Sequence, residues 1–283
     1  MRACFITVDG LRTRYLCAGS GPALLLVHPV GYPADIFARN LESLASSHFV
    51  IAPDLPGQGF SEPPPCWHVA PQCFMAEHLA AVMRHLDLAR YSVVGSSLGG
   101  LVAALLALRH PKSVDRLVIV GSGSVFNDPA GQPAVLQQVM ANGSTAYVEP
   151  SLESCRRRIA NTCFAPPQAD DILTAHLTAY AWPGALEHYR SIIAAVSETA
   201  LDPEASAYGH LEAIEAPTLV IVGREDKRTS YESHLAGTLR IPGARIATLE
   251  QCGHLPFLEQ PEAFNSLLVR FLAGEEPGER PVR

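Results

Sequence analysis

No apolar run in the chain approaches the ~20 residues that a bilayer-spanning helix needs, and residues 1–10 carry no basic stretch followed by an apolar core. A cytoplasmic protein without a membrane span is the expectation. No basic cluster is larger than Arg156-Arg157-Arg158, and the net charge is −7, so neither nucleic acid nor an anionic membrane is an expected partner. The seven cysteines show no C-x-x-C spacing, and their odd number argues for reduced thiols over a disulfide framework or a zinc site. No metal and no cofactor are called for. No internal repeat is visible. What is present is 283 residues, 48% of them hydrophobic, enough for one large domain, or a core with an inserted sub-domain.

Two short alternating segments, Ala3 to Val8 and Leu11 to Cys17, flank Asp9-Gly10, which is a hairpin signal. Continuous apolar runs follow at Ala23 to Val27, Phe49 to Ala52, Tyr91 to Gly95, Arg116 to Val120, Thr218 to Val222 and Arg245 to Leu249. Such runs read as strands buried on both faces. Helical spacing lies between them at Ile36 to Leu44, Phe74 to Leu88, Leu101 to Leu108, Tyr231 to Leu239 and Pro261 to Leu272. The alternation predicts a mostly parallel sheet with helices on both faces.

The alternation stops between about Gly123 and Tyr208, where only helical patterns occur: Pro133 to Ala141, Leu152 to Thr162, Asp170 to Tyr180 and Leu186 to Val196. The expected organisation is a core (1–123), an inserted helical cap (124–208), the rest of the core (209–273) and a disordered tail (274–283).

Gly95-Ser96-Ser97-Leu98-Gly99 fits G-x-S-x-G between a β-branched strand and a helix. The chain turns there within one residue, and glycines are needed because backbones approach too closely for a Cβ. Ser97 is left at the tip, where the following helix directs free N–H groups and partial positive charge. A serine hydroxyl needs a base, and the base needs a group to hold its tautomer. Candidates follow two later strands: Gly223-Arg224-Glu225-Asp226 and Cys252-Gly253-His254. The expected set is Ser97 as nucleophile, His254 as general base and Asp226 as orienting acid, with Glu225 as the rival carboxylate. Two backbone donors would form the oxyanion hole, Leu98 N–H and Val30 N–H, since Pro29 has none. His28 is expected mainly to pin that loop.

On these residues the chain resembles the α/β-hydrolase-fold serine hydrolases from Gly19 to Leu272. The landmarks are His28 to Gly31, Asp54-Leu55-Pro56-Gly57-Gln58-Gly59-Phe60-Ser61, the turn at Ser97, Asp226 and Cys252-Gly253-His254, with Glu259 and Phe264-Asn265 beyond. The resemblance implies an eight-stranded, mostly parallel sheet with an inserted helical cap. Within the family the wording is most similar to carbon–carbon hydrolases acting on ring-fission products of aromatic catabolism, and His28 to Gly31 also resembles enol-lactonase-like members. The chain departs from the carbon–carbon hydrolases at Ser96, where they usually carry Asn, at Leu255, where they usually carry Trp, and near His176, where their cap arginine falls, although Arg156, Arg157 and Arg158 lie in the same cap.

The implied activity is hydrolysis of an ester, lactone or carbon–carbon bond beside a carbonyl, in a small aromatic-derived or keto-acid substrate. His28, Ser96, Phe126, His176, Trp182 and Leu255 are the candidate substrate contacts. A homodimer is allowed. Alternatives on the same fold are a ligand-binding member without turnover and a cofactor-free oxygenase using the His–Asp pair.

Overall fold

The computed structural model describes residues 1–165 and 170–281. Positions 166–169 of the expected cap and 282–283 of the tail lie outside the described residues. Eight strands form one sheet: β1 (Arg2–Val8), β2 (Leu11–Ala18), β3 (Ala23–Val27), β4 (Phe49–Pro53), β5 (Tyr91–Ser96), β6 (Val114–Val120), β7 (Thr218–Gly223) and β8 (Arg245–Leu249). Their spatial order is β1-β2-β4-β3-β5-β6-β7-β8. β2 pairs antiparallel with both β1 and β4, and every other pairing is parallel. Asp9 and Gly10, both at positive φ, close the β1–β2 hairpin, the backbone that a two-residue turn of this kind demands. β3 and β7 are buried at every residue, which is why their sequences do not alternate.

Helices α1 (Ala38–Ala45), α2 (Pro71–His85) and α3 (Leu98–Arg109) follow β3, β4 and β5. α3 is apolar all round until Arg109 and is buried along nearly its whole length, as an amphipathic surface helix would not be. Between β6 and β7 lie α4 (Gly123–Phe126), α5 (Gln132–Val148), α6 (Leu152–Ala160), α7 (Asp170–Tyr180) and α8 (Ala185–Glu198). Ser151 and Ser154 make a reciprocal capping box at the start of α6, satisfying two of its orphan donors. After β7 and β8 come α9 (Tyr231–Thr238), α10 (Pro256–Glu259) and α11 (Pro261–Leu272). α1 packs against α11, and α2 against α3. No helix among the described residues is long and apolar enough to cross a membrane.

Strand order reverses between β3 and β5, because the chain adds β4 on one side of β3 and β5 on the other. A crevice opens at such a switch point, outside the carboxyl ends of the strands. The loop after β3 and the turn after β5 therefore meet, and they carry His28 to Gly31 and Ser97.

The tail from Gly274 corrects the expectation of disorder. Glu279 exchanges two backbone hydrogen bonds with Ile246, at 2.7 and 2.9 Å. Arg245 donates to Pro277 O, Gly278 O and Glu276 Oε2. β8 is an edge strand with unpaired backbone groups, and the tail satisfies part of that edge.

Three buried histidines give the fold a pH dependence. Loss of hydration pushes the pKa of His28, His78 and His176 down to about 4, below the ordinary ~6.5. The unfolded chain takes up protons that these folded imidazoles refuse, so their stabilisation is complete above pH 6.5 and is lost as pH falls towards 4. Each contributes a slope of up to about 1.4 kcal/mol per pH unit inside that window. The urea midpoint at pH 5 is expected well below that at pH 7.5, and an equal or higher midpoint contradicts the burial of these rings as neutral species.

Candidate active site

Ser97 joins β5 to α3 with φ 54° and ψ −119°, a conformation that non-glycine residues rarely hold. Two hydrogen bonds fix it: Ser97 N–H donates to Val120 O at 3.0 Å, and Ser122 Oγ donates to Ser97 O at 2.6 Å. A Cβ added to Gly95 would overlap Gly99 O, and one added to Gly99 would overlap Val27 O. The two glycines are there because β3, β5 and α3 touch backbone to backbone.

Asp226 and His254, 28 residues apart in sequence, are brought together at the ends of β7 and β8. His254 Nδ1 lies 2.8 Å from Asp226 Oδ2, and both side chains are almost wholly buried. Asp226 also accepts from Arg228 N–H at 2.8 Å, from Thr229 N–H at 3.3 Å and from the Thr229 hydroxyl at 2.7 Å. Burial raises the carboxyl pKa, but the neighbouring His254 and these donors outweigh it and hold the group below its ordinary value. A charged Asp226 keeps a proton on Nδ1 and leaves the Nε2 lone pair as the base. Glu225, the rival carboxylate, faces elsewhere and accepts from Cys252 N–H at 2.9 Å. His254 itself is anchored through its backbone N–H to Thr162 O, 3.0 Å away.

The loop after β3 is held by side chains from several neighbouring segments. Leu55 N–H donates to His28 Nε2 at 2.8 Å, so Nδ1 carries the ring proton and donates to Pro29 O at 2.8 Å. Gly31 N–H donates to Gln58 Oε1 at 2.5 Å. Among the described residues, neither Val30 N–H nor Leu98 N–H donates to a protein acceptor. Both residues line the cavity that Ser97 and His254 share.

Two cavities meet at that serine and histidine. One is lined mainly by apolar side chains from Leu98, α5 and α8, including Leu136, Val139, Ile192 and Val196. The other, smaller one is lined by Tyr32, Asn142, Arg158, Thr162 and Tyr189 and has no acidic residue in its wall among the described residues. Arg228 borders both, and its Nε is buried without a partner among the described residues.

Arg158, one of three cap arginines visible in the sequence but not among the six expected contacts, is a residue of the site. It is 4% exposed, and its guanidinium carbon stands 4.7 to 5.4 Å from the ring centroids of Tyr32, Tyr147, Tyr180 and Tyr189. Nη2 donates to Val30 O at 3.2 Å, while Nε and Nη1 have no partner among the described residues. A buried cation with idle donors is costly unless something anionic arrives. The signal was helical spacing: Cys155, Arg158 and Ile159 form the buried face of α6, whereas Arg156 and Arg157 pair with Glu153 on the surface.

The six residues expected as substrate contacts lie elsewhere, and none lines either cavity beside Ser97. His28 has both ring nitrogens engaged in holding its loop. Ser96 is buried, its hydroxyl without a partner among the described residues. Phe126 packs edge-on to His234. Leu255 is fully buried and donates its N–H to Glu259. His176 stands behind the tyrosines, edge-on to Tyr32 and Tyr180, with Nδ1 bonded to Ile172 O at 2.8 Å. Trp182 is 57% exposed and leans on Phe60 at a different cavity.

Comparison with known proteins gives a consistent result. A model of the α/β hydrolase fold family matches residues 22–158. The chain is 33% identical over 275 residues to the 2-hydroxymuconate semialdehyde hydrolase of Pseudomonas putida, covering 95% of this chain and 93% of that protein. Its structure is similar to the 2-hydroxy-6-oxo-6-phenylhexa-2,4-dienoate hydrolase from a Rhodococcus species, with a TM-score of 0.79 at 25% identity, covering 96% of this chain and 100% of that one. The enol-lactonase from Burkholderia xenovorans shares the fold, with a TM-score of 0.75 at 22% identity over 95% of this chain and 100% of that one.

Proposed function

The chain belongs to the α/β-hydrolase fold family and is an enzyme of its hydrolase class, and from that premise we propose that it cleaves a bond beside a carbonyl through Ser97, His254 and Asp226. The observation that carries the reading is the 2.8 Å contact of His254 Nδ1 with Asp226 Oδ2, with the same imidazole lining one cavity with Ser97. Ser97 Oγ attacks the carbonyl carbon while His254 Nε2 takes its proton. The oxygen that gains charge accepts hydrogen bonds from Val30 N–H and Leu98 N–H, and losing one such donor costs about 2.7 to 4 kcal/mol. His254 then gives its proton to the leaving group, and water releases the acyl group by the same route in reverse.

The substrate we propose is a carboxylate-bearing ester, lactone or 2-hydroxy-6-oxo-dienoate, related to the compounds for which the similar hydrolases are named. The supporting observation is the polar cavity: Arg158 and Arg228 face it without an acidic neighbour in its wall. The larger apolar cavity takes the rest of the molecule. Purified protein assayed with a 2-hydroxy-6-oxo-dienoate and with carboxylate-bearing and neutral p-nitrophenyl esters tests this directly. Steady turnover with preference for the anionic compounds is expected. A single burst without turnover favours a binding protein, and oxygen consumption would favour the oxygenase alternative.

Arg158→Gln is expected to reduce the preference for a carboxylate-bearing ester over its neutral counterpart about 10- to 100-fold. That range follows from losing a charge-assisted hydrogen bond of about 1.5 to 3 kcal/mol. An unchanged kcat/KM ratio between the two esters contradicts the assignment of Arg158 to substrate charge.

A further inference from the structure

The loop that carries Val30 N–H is held from two directions. The peptide joining Pro29 to Val30 has its carbonyl pinned within the loop, by His28 Nδ1 at 2.8 Å and Tyr32 N–H at 3.3 Å. The next two peptides have their carbonyls pinned by the helices inserted between β6 and β7. Arg158 Nη2 on α6 donates to Val30 O at 3.2 Å, and Tyr147 Oη on α5 donates to Gly31 O at 3.0 Å. A peptide unit is planar, so its N–H points opposite to its carbonyl, and only φ and ψ at Val30 join the first plane to the second. Fixing the second and third planes therefore restricts rotation at Val30, and with it the aim of Val30 N–H.

A second observation points the same way. Gly31 has φ +73°, and a Cβ placed there would overlap the Arg158 guanidinium and the Tyr189 ring. Both side chains come from the inserted helices, so these lie on the loop with no room for a methyl group. Gly143 on α5 likewise leaves space for Arg158 Nη1 and the Tyr189 hydroxyl.

We propose that Tyr147 and Arg158 are positioning residues for the oxyanion hole, so that the inserted helices complete the catalytic geometry as well as roofing the cavities. The inference rests on the serine-hydrolase reading of the site. It has a kinetic consequence that a purely protective roof would not. Arg158 offers Nη2 to the loop while Nε and Nη1 have no partner among the described residues, so an anion that bonds to either of them restrains the group that holds the loop. Binding energy from a remote part of the substrate is then used in the transition state and raises kcat.

The test uses the full chain with a neutral substrate, p-nitrophenyl acetate, on which charge recognition by Arg158 is silent. Tyr147→Phe removes one hydroxyl and is expected to lower kcat about tenfold with KM within twofold. Phenylboronic acid, which forms a tetrahedral adduct on an active serine, should bind about tenfold more weakly to the variant. Arg158→Lys, which keeps the charge and loses the reach of the fork, should lower kcat on the same ester in the same direction and serves if the tyrosine variant folds poorly. Wild-type kcat and wild-type boronate affinity in soluble Tyr147→Phe, or a rise in KM alone, overturn the positioning role while leaving the hydrolase reading intact. A wild-type protein that neither turns over the ester nor binds the boronate overturns the hydrolase reading, and the positioning role with it.

Discussion

Ser97→Ala is expected to lower kcat on any turned-over carbonyl substrate by at least about 10⁴-fold, leaving only what the oxyanion donors and binding supply. The loss follows from the turn itself. Ser97 has φ 54° and ψ −119° between a central strand and a buried helix, and it lines the same cavity as His254. Alanine meets the same backbone demand as serine, and the bonds from Ser97 N–H to Val120 O and from Ser122 Oγ to Ser97 O involve only main-chain atoms of residue 97. The melting temperature should therefore stay close to wild type while turnover disappears. Activity within tenfold of wild type would mean that the chemistry does not pass through this oxygen.

The second large effect is expected from Asp226→Asn, which should lower kcat by about 10³- to 10⁴-fold. Oδ1 of the carboxylate accepts backbone N–H groups from Arg228 and Thr229, so an asparagine at 226 must place its amide oxygen there. Its NH₂ group then takes the position of Oδ2, which now faces His254 Nδ1 and the Thr229 hydroxyl. An amide donor in that place favours the tautomer with the proton on Nε2, which cannot accept from Ser97. The Thr229 hydroxyl can rotate to accept from the amide, so folding should be little affected. A variant that keeps more than a tenth of wild-type kcat would contradict the orienting role of Asp226.

Most of the scaffold was legible because buried strands are written as unbroken apolar runs. β3, β7 and β8 start where the apolar pattern starts, and α7 and α11 have the expected ends. The neighbourhood of Ser97 was legible for a different reason: glycines on both sides of it mark backbone contact, and residues at strand ends in one sheet share an edge. Asp226 and His254 follow β7 and β8, and their approach to 2.8 Å is a consequence of parallel register.

Side-chain direction in the inserted helices was not legible from residue type. Arg156, Arg157 and Arg158 are adjacent and alike in sequence, yet the turn of α6 sends Arg158 among four tyrosines and leaves the others outside. Trp182 and Phe126 read as pocket aromatics, but one leans on Phe60 near the surface and the other fills the space beside Gly237. The tail shows the same limit. Its charged, proline-containing composition resembles a disordered segment, and the edge of β8 that it satisfies exists only once the sheet has formed. Local sequence specifies the elements, whereas these contacts depend on which elements become neighbours.

The most direct measurement is labelling of the full chain with an alkyl fluorophosphonate, followed by peptide mass mapping of the wild type and His254→Ala. Stoichiometric modification of the peptide containing Ser97, accompanied by loss of turnover and strongly slowed in the histidine variant, is the expected result. Labelling at another residue, or full activity after modification of Ser97, would contradict the assignment of hydrolysis to this site.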